Sequence, residues 1–111
     1  MKNLMAMRER FIRDALPVRM GNLASELSRL SQWVAIGRPD AAVIDLMRKI
    51  AWLLEWSGDA ALPELPDMQR EICRWRRSWP AESARSVLSL RARIMSERIL
   101  EDSGLIQANV P

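Results

Sequence analysis

Apolar positions along this chain recur at intervals of three and four residues, and no stretch sustains a two-residue alternation. That pattern predicts helices and no strands. Proline and glycine divide it at Pro17, at Gly37-Arg38-Pro39, across residues 58–66 and at Pro80, leaving five helical segments. The second segment, residues 17–36, has the clearest stripe: Met20, Leu23, Ala24, Leu27, Leu30, Ser31 and Val34. Pro17 suits its first turn and Gly37 its stop.

The third segment, residues 39–56, opens with Pro39-Asp40, a proline and a carboxylate suited to a first helical turn. Val43, Met47, Ile50 and Leu54 line one face, with Leu46 and Leu53 beside them. At 100° per residue, Trp52 and Trp56 fall nearly opposite that face. A helix apolar on two sides belongs between neighbours, so this one is expected to be central.

The first segment, residues 2–16, gathers Leu4, Met5, Phe11, Ile12 and Leu16 on one side. In the fourth, residues 66–79, Met68, Ile72, Trp75 and Trp79 oppose Arg70, Arg74 and Arg77. The fifth, residues 81–102, carries Ala84, Val87, Leu88, Ile94, Met95 and Ile99. Ser103-Gly104 closes it, and Leu105-Ile106 can fold back as a hydrophobic cap. Short connections favour antiparallel neighbours. The expectation is a single all-α domain over residues 1–111. It is a compact four-helix bundle of two antiparallel hairpins, segments two with three and four with five, and residues 1–16 form an accessory N-terminal helix. In segment two the small residues Gly21, Ser25 and Ser28 permit a close helix approach.

Composition narrows the chemistry. The 111 residues include no histidine, one cysteine and four isolated glycines. The commonest general base and metal ligand is therefore absent, zinc ribbons are excluded and no phosphate-binding glycine loop exists. Cys73 stands among Arg70, Arg74 and Arg76, and neighbouring positive charge favours a thiolate. Without a histidine base, it reads as a small semi-buried residue. Asp40 with Asp45, and Glu97 with Glu101, read as solvated helix faces. No catalytic residue, cofactor or metal site is expected, and the chain reads as a non-enzyme.

The net charge is +3 and the isoelectric point near 10.0, but 14 acidic residues offset most of the 17 basic ones, of which fifteen are arginine. The arginine bias fits a GC-rich coding sequence. The stripe Arg70, Arg74, Arg77 is the candidate anion or nucleic-acid surface; as a plain solvent face it would be partly neutralised by Asp67 and Glu71. Arg8, Glu9, Arg10, Arg13 and Asp14 interrupt any signal-like apolar region, and no apolar run is long enough for a membrane span. The expected location is the cytoplasm. Arg91 and Arg98 lie inside the apolar arc of segment five. Such an arginine requires a carboxylate or must reach the rim. Glu55 is the candidate partner of Arg98, against the alternative of a partly solvated stem.

Several spaced motifs resemble a small, uncharacterised all-helical family of cyanobacteria. They are Gly21-Asn22-Leu23-Ala24 with Leu27, the run 52–56 ending Glu55-Trp56, Arg74-Trp75 followed by Trp79, and Ser96-Glu97-Arg98-Ile99-Leu100 leading into Ser103-Gly104-Leu105. The resemblance spans residues 21–106 and implies a helical domain without a catalytic residue.

The function expected from these patterns is that of a non-enzymatic interaction or scaffold protein, self-associating as a homodimer. Its candidate interface is Trp52, Trp56 and Phe11, because an uncovered aromatic patch marks interfaces. Nucleic-acid or anion binding through the arginine face is the alternative. A small apolar ligand held between helices is a third reading.

Overall fold

The computed structural model describes residues 3–79 and 85–105. Within them the chain forms five α-helices and no strand: α1 (Leu4–Arg13), α2 (Leu16–Ile36), α3 (Asp40–Glu55), α4 (Leu65–Ser78) and α5 (Arg85–Asp102). A 3-10 turn, Gly58–Ala60, lies between α3 and α4. No helix among the described residues is long and apolar enough to cross a membrane. Pro80, Ala84 and Ile106 lie outside the described residues.

The helix ends follow their local chemistry. Pro17 occupies the first turn of α2, where its missing N–H costs nothing. Gly37 ends α2 with φ 78°, and the Arg38 N–H then donates to the Trp33 carbonyl at 3.0 Å. Gly104 repeats the device after α5, again with φ 78°, and the Leu105 N–H donates to the Leu100 carbonyl at 2.9 Å. Leu105 lies beside Gly21, where an added β-carbon would stand 3.7 Å from Leu105 Cδ1, yet it stays 39% exposed and so covers the helix only in part.

The stripes expected on α2 and α3 are buried at every position, from Met20 to Val34 and from Val43 to Leu54. Met68, Ile72 and Trp79 add the fourth segment's face, and Leu88, Met95 and Ile99 the fifth's. Two stripes are corrected. Val87 is exposed, and Ala92 and Ser96 take the buried positions of α5 instead. In α1 only Phe11 is buried, while Met5 is 77% and Ile12 40% exposed. Met5 and Ile12 lie seven residues apart, two helical turns, on a line well rotated from Phe11.

Of the two expected hairpins, α2 with α3 is in contact, whereas α4 and α5 take their main partners elsewhere. α2 packs against both α3 and α5, and α4 packs on α3. The closest backbone pairing is α2 with α5, so α2 shares the central position with α3. Ser31 meets Ser89 and Ala24 meets Ser96, so the two helices run antiparallel. The residues at this seam are small: Ala24, Ser28 and Ser31 against Ser89, Ala92 and Ser96. A small-residue seam lets two helix backbones approach closely, and hydroxyls there can reach carbonyls of the facing helix. Of the three small residues expected to serve this purpose, Ser25 is instead exposed.

Candidate functional site

The aromatic cluster is built on α3 and closed by α1. The Trp52 and Trp56 rings stack with centroids 5.7 Å apart at 25°, as four-residue helical spacing dictates. Phe11 meets Trp56 at 6.2 Å and 48°. Phe11, expected at an interface, is instead buried within the chain, because α1 folds over this end of α3. Trp52 and Trp56 remain half-buried.

Arg19 locks the same corner, and the sequence pattern does not single it out. Its guanidinium is buried and forms two hydrogen bonds to the Asp59 carboxylate, at 3.0 and 2.7 Å. Its Nε donates to the Asp14 carbonyl at 3.1 Å, and the group lies 5.9 Å from the Phe11 ring centre. The hydrogen bonds to Asp59 raise the Arg19 pKa above the ordinary arginine value and lower that of Asp59. The 3-10 turn that carries Asp59 is thereby tied to the α1–α2 junction. No sequence spacing signals this pair, because its members are forty positions apart.

Between α1, α2 and α3 lies a cleft of about 380 Å³ around Glu26. Glu26 is buried, with Arg29 Nη1 2.9 Å from Oε1 and Lys49 Nζ 2.6 Å from Oε2. Each carboxylate oxygen is thus held by one cation. This charged cluster joins α2 to α3.

The arginine face of α4 is present, with Arg70, Arg74 and Arg77 all exposed. Arg70 pairs with Asp67. Glu71 is drawn away to Arg91, which donates to it at 3.0 and 2.9 Å and gains a raised pKa from those bonds. Arg74 and Arg77 have no ion-pair partner among the described residues. A groove of about 670 Å³ runs along this face. At Gln69 and Cys73 it meets a second cleft, of about 360 Å³, between α3 and α4. Trp52, Arg48 and Arg76 line that second cleft, and the Arg76 Nε is buried without a hydrogen-bond partner.

The expected Glu55–Arg98 pair does not form. Arg98 lies 4.0 Å from Glu64, whereas Glu55 faces α4, where the Gln69 amide lies 3.5 Å from its carboxylate. α5 meets α4 through Arg91 and Glu71 instead, which leaves Arg98 at the 58–64 loop and Glu55 on the far part of the α3–α4 contact. Arg98 is half-exposed and Glu64 stands at the end of the 58–64 loop. A hydrogen bond to Asp102, then burial, raise the Glu64 pKa.

Compared with known proteins, the chain matches no family model, no curated protein and no solved structure. The resemblance to the cyanobacterial helical family thus rests on its quoted residues alone.

Proposed function

We propose that this chain is a non-enzymatic helical interaction protein that associates with a second copy of itself. In this reading α2 to α5 form the four-helix unit and α1 is an accessory arm, working in the cytoplasm. The observation that supports it is the outward stripe of α1. Met5 and Ile12 stand exposed at heptad spacing while Phe11 anchors the same helix inward. Two large apolar side chains exposed on one line of a helix, with Arg8 and Glu9 between them, gain by being covered. With Phe11 buried, the interface moves from the tryptophan face to this outer line.

Light scattering coupled to size exclusion tests the reading. The expected result is a dimer, twice the 12.8 kDa of the chain, converted to monomer by Met5→Glu with Ile12→Glu. A monomer at every accessible concentration removes it.

A second reading, anion binding at α4, is favoured by one observation: Arg74 and Arg77 are exposed without carboxylate partners among the described residues. Such cations attract phosphates with a strong dependence on salt. Retention on a polyanion column that falls with salt, and falls further with Arg74→Ala and Arg77→Ala, is the expected behaviour.

A further inference from the structure

We propose that the cleft between α3 and α4 binds a nucleotide unit, with the base against Trp52 and the phosphate at Arg76. This deepens the anion-binding reading and rests on it. Trp52 is a prepared surface. Its ring stacks on Trp56, which Phe11 also contacts. Bases stack on such rings whatever their sequence.

Arg76 supplies the second half. Arg76 lines the cleft, and no hydrogen bond or ion pair to a described residue engages its guanidinium, so its terminal nitrogens are left to meet a phosphate oxygen there. The cleft, about 360 Å³, has the size of a small-molecule site. Glu55 and the Gln69 amide also line it, and between them they offer both hydrogen-bond donors and acceptors to a base edge. The cleft meets the α4 groove at Gln69 and Cys73, and the groove leads along Arg74 and Arg77. A strand leaving the cleft would place its following phosphates there. Free nucleotides and single-stranded nucleic acid share this chemistry.

The test is fluorescence anisotropy with a labelled short oligothymidylate, an abasic strand of equal length and inorganic polyphosphate. Trp52→Ala is expected to weaken oligothymidylate about tenfold and to leave the abasic strand unchanged. Arg76→Gln should weaken all three probes. Trp52→Phe keeps a stacking ring and should retain most of the affinity, which separates stacking from a folding defect; circular dichroism checks each variant. Polyphosphate and both strands binding equally, with Trp52→Ala silent, overturns the nucleotide site while leaving anion binding intact. Failure of all three probes overturns both. Duplex DNA binding more tightly than the single strand overturns the stacking geometry. Competition by adenosine monophosphate at the affinity of the strand assigns the site to free nucleotides. Much weaker competition assigns it to single strands.

Discussion

Ser31 and Ser89 each donate a hydroxyl hydrogen bond to the other's backbone carbonyl, at 2.7 Å from Ser31 and 2.9 Å from Ser89. Ser96 does the same toward α2, donating to the Ala24 carbonyl at 2.7 Å. Two helices can exchange such bonds only when their backbones lie close, which bulky side chains at the seam would forbid. Ala92, fully buried between Ser89 and Ser96, keeps the distance short.

Two substitutions at this seam should differ in size. Ser31→Ala removes one donor and is expected to cost about 1 kcal/mol. Ala92→Leu forces the helices apart and should cost about 1–3 kcal/mol from overpacking alone. Pulling the serine hydroxyls out of reach of the facing carbonyls adds to that cost. Urea unfolding of both variants measures the difference, and an Ala92→Leu protein as stable as the parent contradicts the close packing.

Ala61 adopts φ 57°, in the left-handed region, directly after the 3-10 turn. A β-carbon there is strained by about 1–2 kcal/mol, and the greater freedom of glycine in the unfolded chain offsets part of any relief. Ala61→Gly should therefore stabilise the protein by roughly 0.5–1 kcal/mol. Thermal unfolding would show an upward shift, whereas Ala61→Val should lower the midpoint.

Glu64 and Asp59 give the protein two opposed pH dependences. The Glu64 pKa is raised from the ordinary 4.5, so the fold prefers its protonated form. Its contribution is full below that value and is lost as pH rises through the folded pKa. The Asp59 pKa is lowered from the ordinary 3.8, so its contribution is present above that value and lost as pH falls through the folded pKa. Glu64→Gln, a permanent mimic of the protonated acid, should be more stable than the parent at pH 7 and comparable at pH 4. Asp59→Asn should lower stability at pH 7 and flatten the acid limb. Denaturant titrations across this range read both signs directly.

The indole N–H of Trp79 donates to Asp40 Oδ1 at 3.0 Å, and the Arg85 guanidinium lies 4.7 Å from the Trp79 ring centre. This joins the exit of α4 to the first turn of α3 and the start of α5. Trp79→Phe keeps an aromatic ring but deletes both the donor and part of a buried indole, so a loss of at least about 1–2 kcal/mol is expected, the hydrogen bond to a charged acceptor plus the unfilled space. Asp40→Ala removes the acceptor together with its contact to Arg85 and should cost at least as much, and a shortfall from additivity in the double variant identifies the shared bond.

The stripes of α2 and α3 are legible in the sequence because burial on one helix face follows directly from a 3.6-residue period. The α1 stripe misleads for the same reason. Periodicity says which residues share a side, but Met5, Phe11 and Ile12 spread over a wide arc, and only the docked position of α1 decides that Phe11 alone is covered. The arginine face of α4 can be read from spacing. The Arg76 position against Trp52 cannot, since it depends on how α3 and α4 pack. Arg98 lies off the buried arc and is 53% exposed, the solvated stem that was the alternative, and the carboxylate within reach, at 4.0 Å, is Glu64 rather than Glu55. A lone charge specifies that some opposite charge is close, not which one.

By itself the sequence determined the helical class, the helix limits to within a few residues and the inward faces of α2 and α3. These depend on local backbone preference and on the periodic segregation of apolar side chains, which act within one element. Tertiary structure alone decided that α5 lies on α2, that Phe11 closes over Trp56, that Arg19 reaches Asp59 and that Arg76 and Trp52 line one cleft. Those relationships depend on the relative placement of whole helices. That placement is set by the summed fit of many side chains of similar hydrophobicity, and no short stretch of sequence carries the sum.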